Sequence, residues 1–414
     1  MKKSEILLAA ALFLSVTTFG QFEPAQDKGE GFEKLKVHVG GDFALQYQIL
    51  NHDADSSLIP LGTGFNLPTA NLNLDVDLAR GIKLNLVTYL SARHHNEAWV
   101  KGGYIAFDEL SFINSPGIDK LMDYLTIIVG DMELNYGDAH FRRSDNGSVT
   151  RNPFVGNYIM DAFTTAPALE IMFRNKGILA MAGATTGSLR QDLTRYANNT
   201  YIKYDAHKEI GFYWKLGYDK EFVDDIRARL TVSGYHMPKK NHNSTLYYGD
   251  RTGSRYYLVM NRQTFSATDA DIKSNHTSGN WGPGIGNKDN SFMVNLFAQA
   301  KGFEVFGTYE TAKGLYTSGS EFKFSQIAAE GLYRFGGKRQ FYGGIRYDLV
   351  KGDTDTGVPG DKSVNRINAG AGWFIIPSIV CKIEYVNQNY SDFISEYGAD
   401  AGFNGFMIEA AVSF

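Results

Sequence analysis

The chain has one cysteine, Cys381, in 414 residues. No intrachain disulfide can form, so an exported chain of this kind must draw its stability from extensive strand pairing. Beyond the first twenty residues it lacks any run of the roughly 20 apolar residues that a spanning helix needs. Neither sign of charge dominates, with 41 Lys and Arg against 45 Asp and Glu and a net charge of −4, which argues against a nucleic-acid binder. There is no nucleotide loop, no paired metal-binding cysteine motif and no appended peptidoglycan-binding domain, so no cofactor and no structural metal are expected. Aromatic rings and glycine are abundant: 24 Tyr, 28 Phe and 44 Gly, at a mean hydropathy of −0.26. A polar average combined with many rings is what alternating strands produce, because each apolar residue is diluted by a polar neighbour.

Residues 1–20 read as a secretory signal, with Lys2 and Lys3 followed by an apolar run from Ile6 to Val16 that is too short to anchor. No cysteine stands near the expected cleavage point to accept lipid. Residues 21–33 form a short polar lead, and residues 34–414 carry the strand pattern. Leu35, Val37, Val39, Phe43, Leu45, Tyr47 and Ile49 alternate with Lys36, His38, Asp42, Gln46 and Gln48, a separation that helical spacing cannot make. The last stretch behaves likewise: Phe406, Ile408, Ala410, Val412 and Phe414 share one face and Met407, Glu409, Ala411 and Ser413 the other. The stretch 125–136 switches phase near Gly130, as a β-bulge would make it do.

Turn signals are short at 79–81, 175–177, 224–225, 301–302, 336–338 and 376–377. They alternate with long connections at 51–68, 138–165, 187–207, 238–289, 352–361 and 390–402. The long connection at 111–123 is the exception, since it falls on the trimmed end. One trimmed end and one elaborated end, with about sixteen strands and almost no charge in the apolar register, predict an all-β, antiparallel transmembrane β-barrel with short periplasmic turns and long extracellular loops. Tyr47, Trp214, Tyr218, Tyr333, Trp373 and Tyr385 lie in or near the apolar register and are expected to form interfacial girdles.

With its export signal, its Gly-containing short turns, the stretch Val129 to Gly147 (VGDMELNYGDAHFRRSDNG) and a terminal Phe414, the chain resembles the bacterial outer-membrane porins. More narrowly, it is similar to porin-like proteins of Bacteroidota loosely grouped with the phosphate-selective porins. The resemblance implies an integral outer-membrane location among lipid and lipopolysaccharide, and passive diffusion of small hydrophilic solutes, anions among them, through a water-filled lumen. Some outer-membrane barrels are hydrolases, but no enzymatic activity is expected of this one, on the residues considered below. The resemblance further implies an inward-folded loop narrowing the passage, insertion by the barrel assembly machinery with Phe414 as the signal, and a homotrimer as in many porins, although no stretch of sequence requires that interface. A non-conducting barrel acting as a surface adhesin or structural protein is the alternative.

The matching loop contains Arg142, Arg143, Asp145 and Arg151, whose convergence would lower the entry energy of anions. The other reading is a solvated loop whose arginines pair with Asp138, Asp145 or lipopolysaccharide phosphates. Lumen charges are of both signs, including Lys83, Lys215, Arg227, Arg229, Arg346, Glu304 and Glu330. Such a mixture is no basic ladder and speaks against phosphate specificity. His140 and Ser144 supply a base and a nucleophile in the same loop, but without an oxyanion-hole motif or an orienting carboxylate. His94 and His95 are adjacent on a strand and point to opposite faces, which disfavours a shared metal.

Overall fold

The computed structural model describes residues 22–29, 31–53, 58–66, 68–91, 98–145, 147–188, 194–197, 200–203, 210–238, 244–248, 253–262, 275–316, 318–354, 362–398 and 401–414. The expected signal at 1–20 and the His94–His95 pair lie outside the described residues, as does part of the 238–289 connection.

Sixteen strands close into one antiparallel ring. The first seven are β1 (Lys36–Asp53), β2 (Thr69–Ala79), β3 (Ile82–Ser91), β4 (Ala98–Phe107), β5 (Leu125–Glu133), β6 (Thr165–Asn175) and β7 (Ile178–Thr185). Next come β8 (Gly211–Val223), β9 (Ile226–Met237), β10 (Gly284–Ala300), β11 (Phe303–Tyr316) and β12 (Glu321–Phe335). The circle ends with β13 (Phe341–Thr354), β14 (Lys362–Ile376), β15 (Ile379–Ser391) and β16 (Ala401–Ser413). Each strand pairs with its chain neighbours, and β16 returns to β1 in a register running from Asp42↔Ser413 to Asp53↔Gly402. The ladder therefore has no free edge, the condition for strands to cross lipid with every backbone polar group satisfied. Among the described residues no helix is long and apolar enough to cross a membrane.

Alternation decides which side chain faces where. Along β16, Phe406 and Ile408 are exposed on the outer face, whereas Met407, Glu409 and Ala411 are fully buried inside. Leu216, Leu230, Leu296, Val305, Ile327, Ile345, Ile367 and Ile383 continue the outer apolar belt around the ring. Lys215, Arg346, Asp348, Arg366 and Glu384 are 0 % exposed on the inner side. The chain is thus apolar outside and charged within, as required when a lipid-facing Arg or Lys at the midplane costs about 2–4 kcal/mol. Near the trimmed end Tyr333, Phe335, Phe341 and Trp373 stack in a row with centroids 5.7–6.1 Å apart, a stretch of the expected girdle. Free Cys381 is exposed on the outer face.

The trimmed end carries two-residue turns at Lys176-Gly177 and Lys301-Gly302, in which both residues have positive φ (51° and 91°, 49° and 92°). That geometry matches the right-handed twist of the paired strands and favours glycine at the second position. The long connection at this end, 108–124, folds into a short helix, α1 (Pro116–Met122), with proline at its start. The elaborated end is less uniform than expected, since β11 and β12 are joined by only residues 317–320.

Gly130 is not a bulge. Its pairing continues without a break on both sides, Tyr104↔Gly130 and Gly130↔Ala168, so no residue is inserted. Its φ of 154° is the irregularity instead, and the lumen cavity is lined by Ile128 before it and by Asp131, Met132 and Glu133 after it. A Cβ at Gly130 would lie 2.4 Å from the Gly103 carbonyl oxygen, which leaves glycine as the residue that fits.

Candidate functional site

Residues 134–164, between β5 and β6, fold into the barrel and bury nearly every side chain there. The strand wall holds their backbone. Glu384 accepts hydrogen bonds from the amides of Val155 (2.8 Å) and Gly156 (3.2 Å), and Asp348 accepts from Ile159 (2.7 Å). Gln326 accepts from the Met160 amide and donates to its carbonyl, at 2.8 and 2.9 Å. A second inward segment, 253–262, packs on the first: Tyr256 donates to Glu384 (2.7 Å), and Arg255 pairs with Glu409, which also holds Lys382 at 2.7 Å. Trp281 then seats against Phe324 and Phe393. The half of the lumen against β12–β16 is therefore packed like a protein core, although its wall is charged.

The four residues expected at a constriction are divided by this packing. Arg142 is 1 % exposed and lies between Glu330 (2.9 Å) and Glu304 (2.7 Å), over the Phe306 ring. Arg143 is equally buried and grips Asp161 with two bonds of 2.7 and 2.5 Å. Asp145 pairs with Lys101. Arg151 alone of the four is exposed, and it lines the remaining space. Of the lumen charges named from sequence, Arg346 bonds Glu330 (2.7 Å) and the Gly156 carbonyl (2.8 Å). Lys83 bonds Asp27 at 2.5 Å near the trimmed end. Lys215, Arg227 and Arg229 join Asp138 and Asp219: Lys215 to Asp138 at 3.0 Å, Arg229 to Asp138 at 2.8 Å and Arg227 to Asp219 at 2.6 Å. His140 bonds Glu133 and Asn135, while Ser144 bonds Asn157 and Asn152, so the two do not form a nucleophile–base pair.

On the opposite side, along β1–β6, a cavity of about 340 Å³ stays open. Seven carboxylates line it, from Glu23, Asp42, Asp75, Asp131, Glu133, Asp145 and Glu170, against the cations Lys101 and Arg151 and the imidazole of His140. Asn71, Asn73, Asn85 and Asn135 fill much of the rest. This space can hold hydrated solutes, and its fixed charge is mainly negative.

The polar lead at 21–33, read from sequence as a short segment outside the strands, instead enters the lumen with Phe22 and Glu23. Residues 22–29 cross the trimmed mouth: Asp27 meets Asp108 at the end of β4, Gln26 donates to the Leu125 carbonyl (2.7 Å), and Arg174 donates to the Pro24 carbonyl. Phe22 ends against Phe297 and Phe141 inside, at 3 % exposure. Glu23 bonds Lys215 (2.9 Å) and Arg229 (2.8 Å). Burial pushes the Glu23 carboxyl up, but those two cations outweigh it and hold it at about 2. The one available signal was an apolar ring and a carboxylate side by side in an otherwise polar segment.

No family model and no curated protein matches the chain. Solved structures do match in fold. An anion-selective porin from Comamonas acidovorans is 11 % identical with a TM-score of 0.53, over 92 % of this chain and 100 % of that one. The fold is that of an integral outer-membrane barrel. Two further barrels agree: the outer-membrane channel DcaP of Acinetobacter baumannii (12 % identity, TM-score 0.51, 94 % and 100 % covered) and OprB of Pseudomonas putida (8 %, 0.53, 92 % and 94 %). At these identities the likeness is one of architecture.

Proposed function

We propose that the barrel is a porin, a passive diffusion channel for small hydrophilic solutes. The observation that carries the proposal is the polar cavity left beside the inward loop, bounded by a closed strand wall on one side and by residues 138–151 on the other. Solutes cross while hydrated and in contact with amide and carboxylate side chains, and the loop sets the cross-section. Arg151 presents the loop's positive charge to the passage, because Arg142 and Arg143 spend theirs on buried carboxylates. With six carboxylates on its lining besides the ion-paired Glu23, against Lys101 and Arg151, the passage favours cations and neutral solutes over anions.

A second reading, a non-conducting surface or structural barrel, draws support from the core-like packing of the described residues of 134–164, 253–262 and 275–281. Single-channel recording in planar bilayers separates the two. Stable conducting steps support the porin, and their absence after verified insertion favours the blocked barrel.

A further inference from the structure

The lead holds a carboxylate where a solute could sit. Glu23 reaches Lys215 at 2.9 Å and Arg229 at 2.8 Å, with the Asn135 amide 3.4 Å away. Both cations are nearly fully buried, at 0 % and 3 % exposure. Phe22 beside it lies under the guanidiniums of Arg229 (4.4 Å) and Arg227 (5.3 Å). In this ion-paired cluster three cations, Lys215, Arg227 and Arg229, face three carboxylates, Glu23, Asp138 and Asp219. Asp138 and Asp219 are built into the inward loop and β8, whereas Glu23 arrives on a segment outside the barrel ladder. Glu170 stands next to the cluster and accepts from the Tyr213 hydroxyl at 3.1 Å. Withdrawal of Glu23 leaves the three cations with one carboxylate fewer, at the wall of the cavity that Glu23 and Pro24 line.

We propose that Lys215 and Arg229, with Asn135, form a carboxylate-binding site inside the lumen, reached by the lead from the trimmed mouth, that the chain's own Glu23 fills it, and that solutes bearing a carboxylate compete with Glu23 for it. The segment 22–28 is then a strap that covers the site and keeps the passage acidic. Two charge-assisted contacts to the two carboxylate oxygens are the geometry a free carboxylate would reproduce. This inference rests on the diffusion reading for its effect on transport, but the site itself is testable without conduction.

The test compares the full mature chain with Glu23→Gln and with a variant lacking residues 22–28. Folding of each is verified by its heat-modifiable migration in gels, and citrate is the probe. In bilayers both variants are expected to shift the reversal potential toward anions, and citrate on the periplasmic side reduces their current at concentrations at least tenfold below those needed for the unmodified protein. Adding Lys215→Met to Glu23→Gln abolishes that sensitivity. Variants whose reversal potential and citrate response equal those of the unmodified chain overturn the proposal. If no form conducts, the porin reading fails, and thermal unfolding in detergent decides the site. Citrate stabilising Glu23→Gln more than the unmodified chain upholds it, and equal stabilisation or none rejects it.

Discussion

Arg142 illustrates how a residue can be placed in the right loop by sequence and still be assigned the wrong neighbours. Three basic residues within ten positions suggest a shared electrostatic task, but the two carboxylates beside Arg142, Glu304 and Glu330, come from strands far along the chain. Removing one member of a buried ion pair leaves its partners charged and unsolvated. Arg142→Ala is therefore expected to destabilise the barrel by about 3–5 kcal/mol, seen as a lower urea midpoint for the heat-modifiable gel shift. Arg151→Ala, at an exposed position, is expected to change stability by less than about 0.5 kcal/mol while moving the reversal potential toward cations. A larger selectivity change from Arg142→Ala than from Arg151→Ala at equal folding would contradict this division. Glu23 adds a pH dependence. Its carboxyl is held at about 2, below its ordinary 4.5, by Lys215 and Arg229 after burial has pushed it the other way. A depressed carboxylate contributes fully above its unfolded value and loses that contribution as pH falls toward the folded one. The strap should stay latched from pH 7 to about 5 and loosen only between about 4.5 and 2, with Asp138 and Glu170 as the other carboxylates near it. Release already at pH 6, read as new tryptic cleavage after Lys28 on the strap, would show that Glu23 is not the latch.

Among the elements, strands were legible and loops were not, for a physical reason. Strand direction is recorded locally, because lipid on one side and charge on the other impose a two-residue repeat on β1, β10 and β16. The path of the inward loop is recorded in partners 229, 189 and 166 residues away, namely Glu384, Asp348 and Gln326. No short window holds both halves of such a contact. Gly130 lies between these cases: the phase change was visible, but a positive-φ glycine and an inserted residue leave the same trace in sequence. The packing predicts protease behaviour. In the folded barrel trypsin should spare Arg142, Arg143 and Arg151 alike, since the first two are 1 % exposed and the third lines the lumen cavity, and early cleavage after any of them would mean that the loop leaves the lumen. Replacing 138–161 by a short Gly-Ser linker is expected to raise single-channel conductance several-fold, whereas unchanged conductance would move the narrow point elsewhere.

At the scale of the whole molecule the barrel closes through β1 and β16, and Phe414 completes the seam. Its amide donates to the Gly41 carbonyl and its own carbonyl accepts from the Gly41 amide, both at 3.0 Å, with the ring against Gly41. Deleting the residue would remove those two backbone bonds together with the ring. Phe414→Ala keeps the bonds, and it should still lower the yield of inserted barrel if the ring serves as an assembly signal; normal insertion with intact secretion would leave the ring an interfacial role alone. The same inside-out design that lets the chain live in lipid leaves a charged interior, half of it consumed by loops and the other half an acidic cavity of about 340 Å³. Whether that cavity conducts is tested most directly by planar-bilayer recording of the purified full-length barrel in a salt gradient. Stable single-channel steps with a cation-preferring reversal potential are the predicted result, and a verified insertion that carries no current would contradict it.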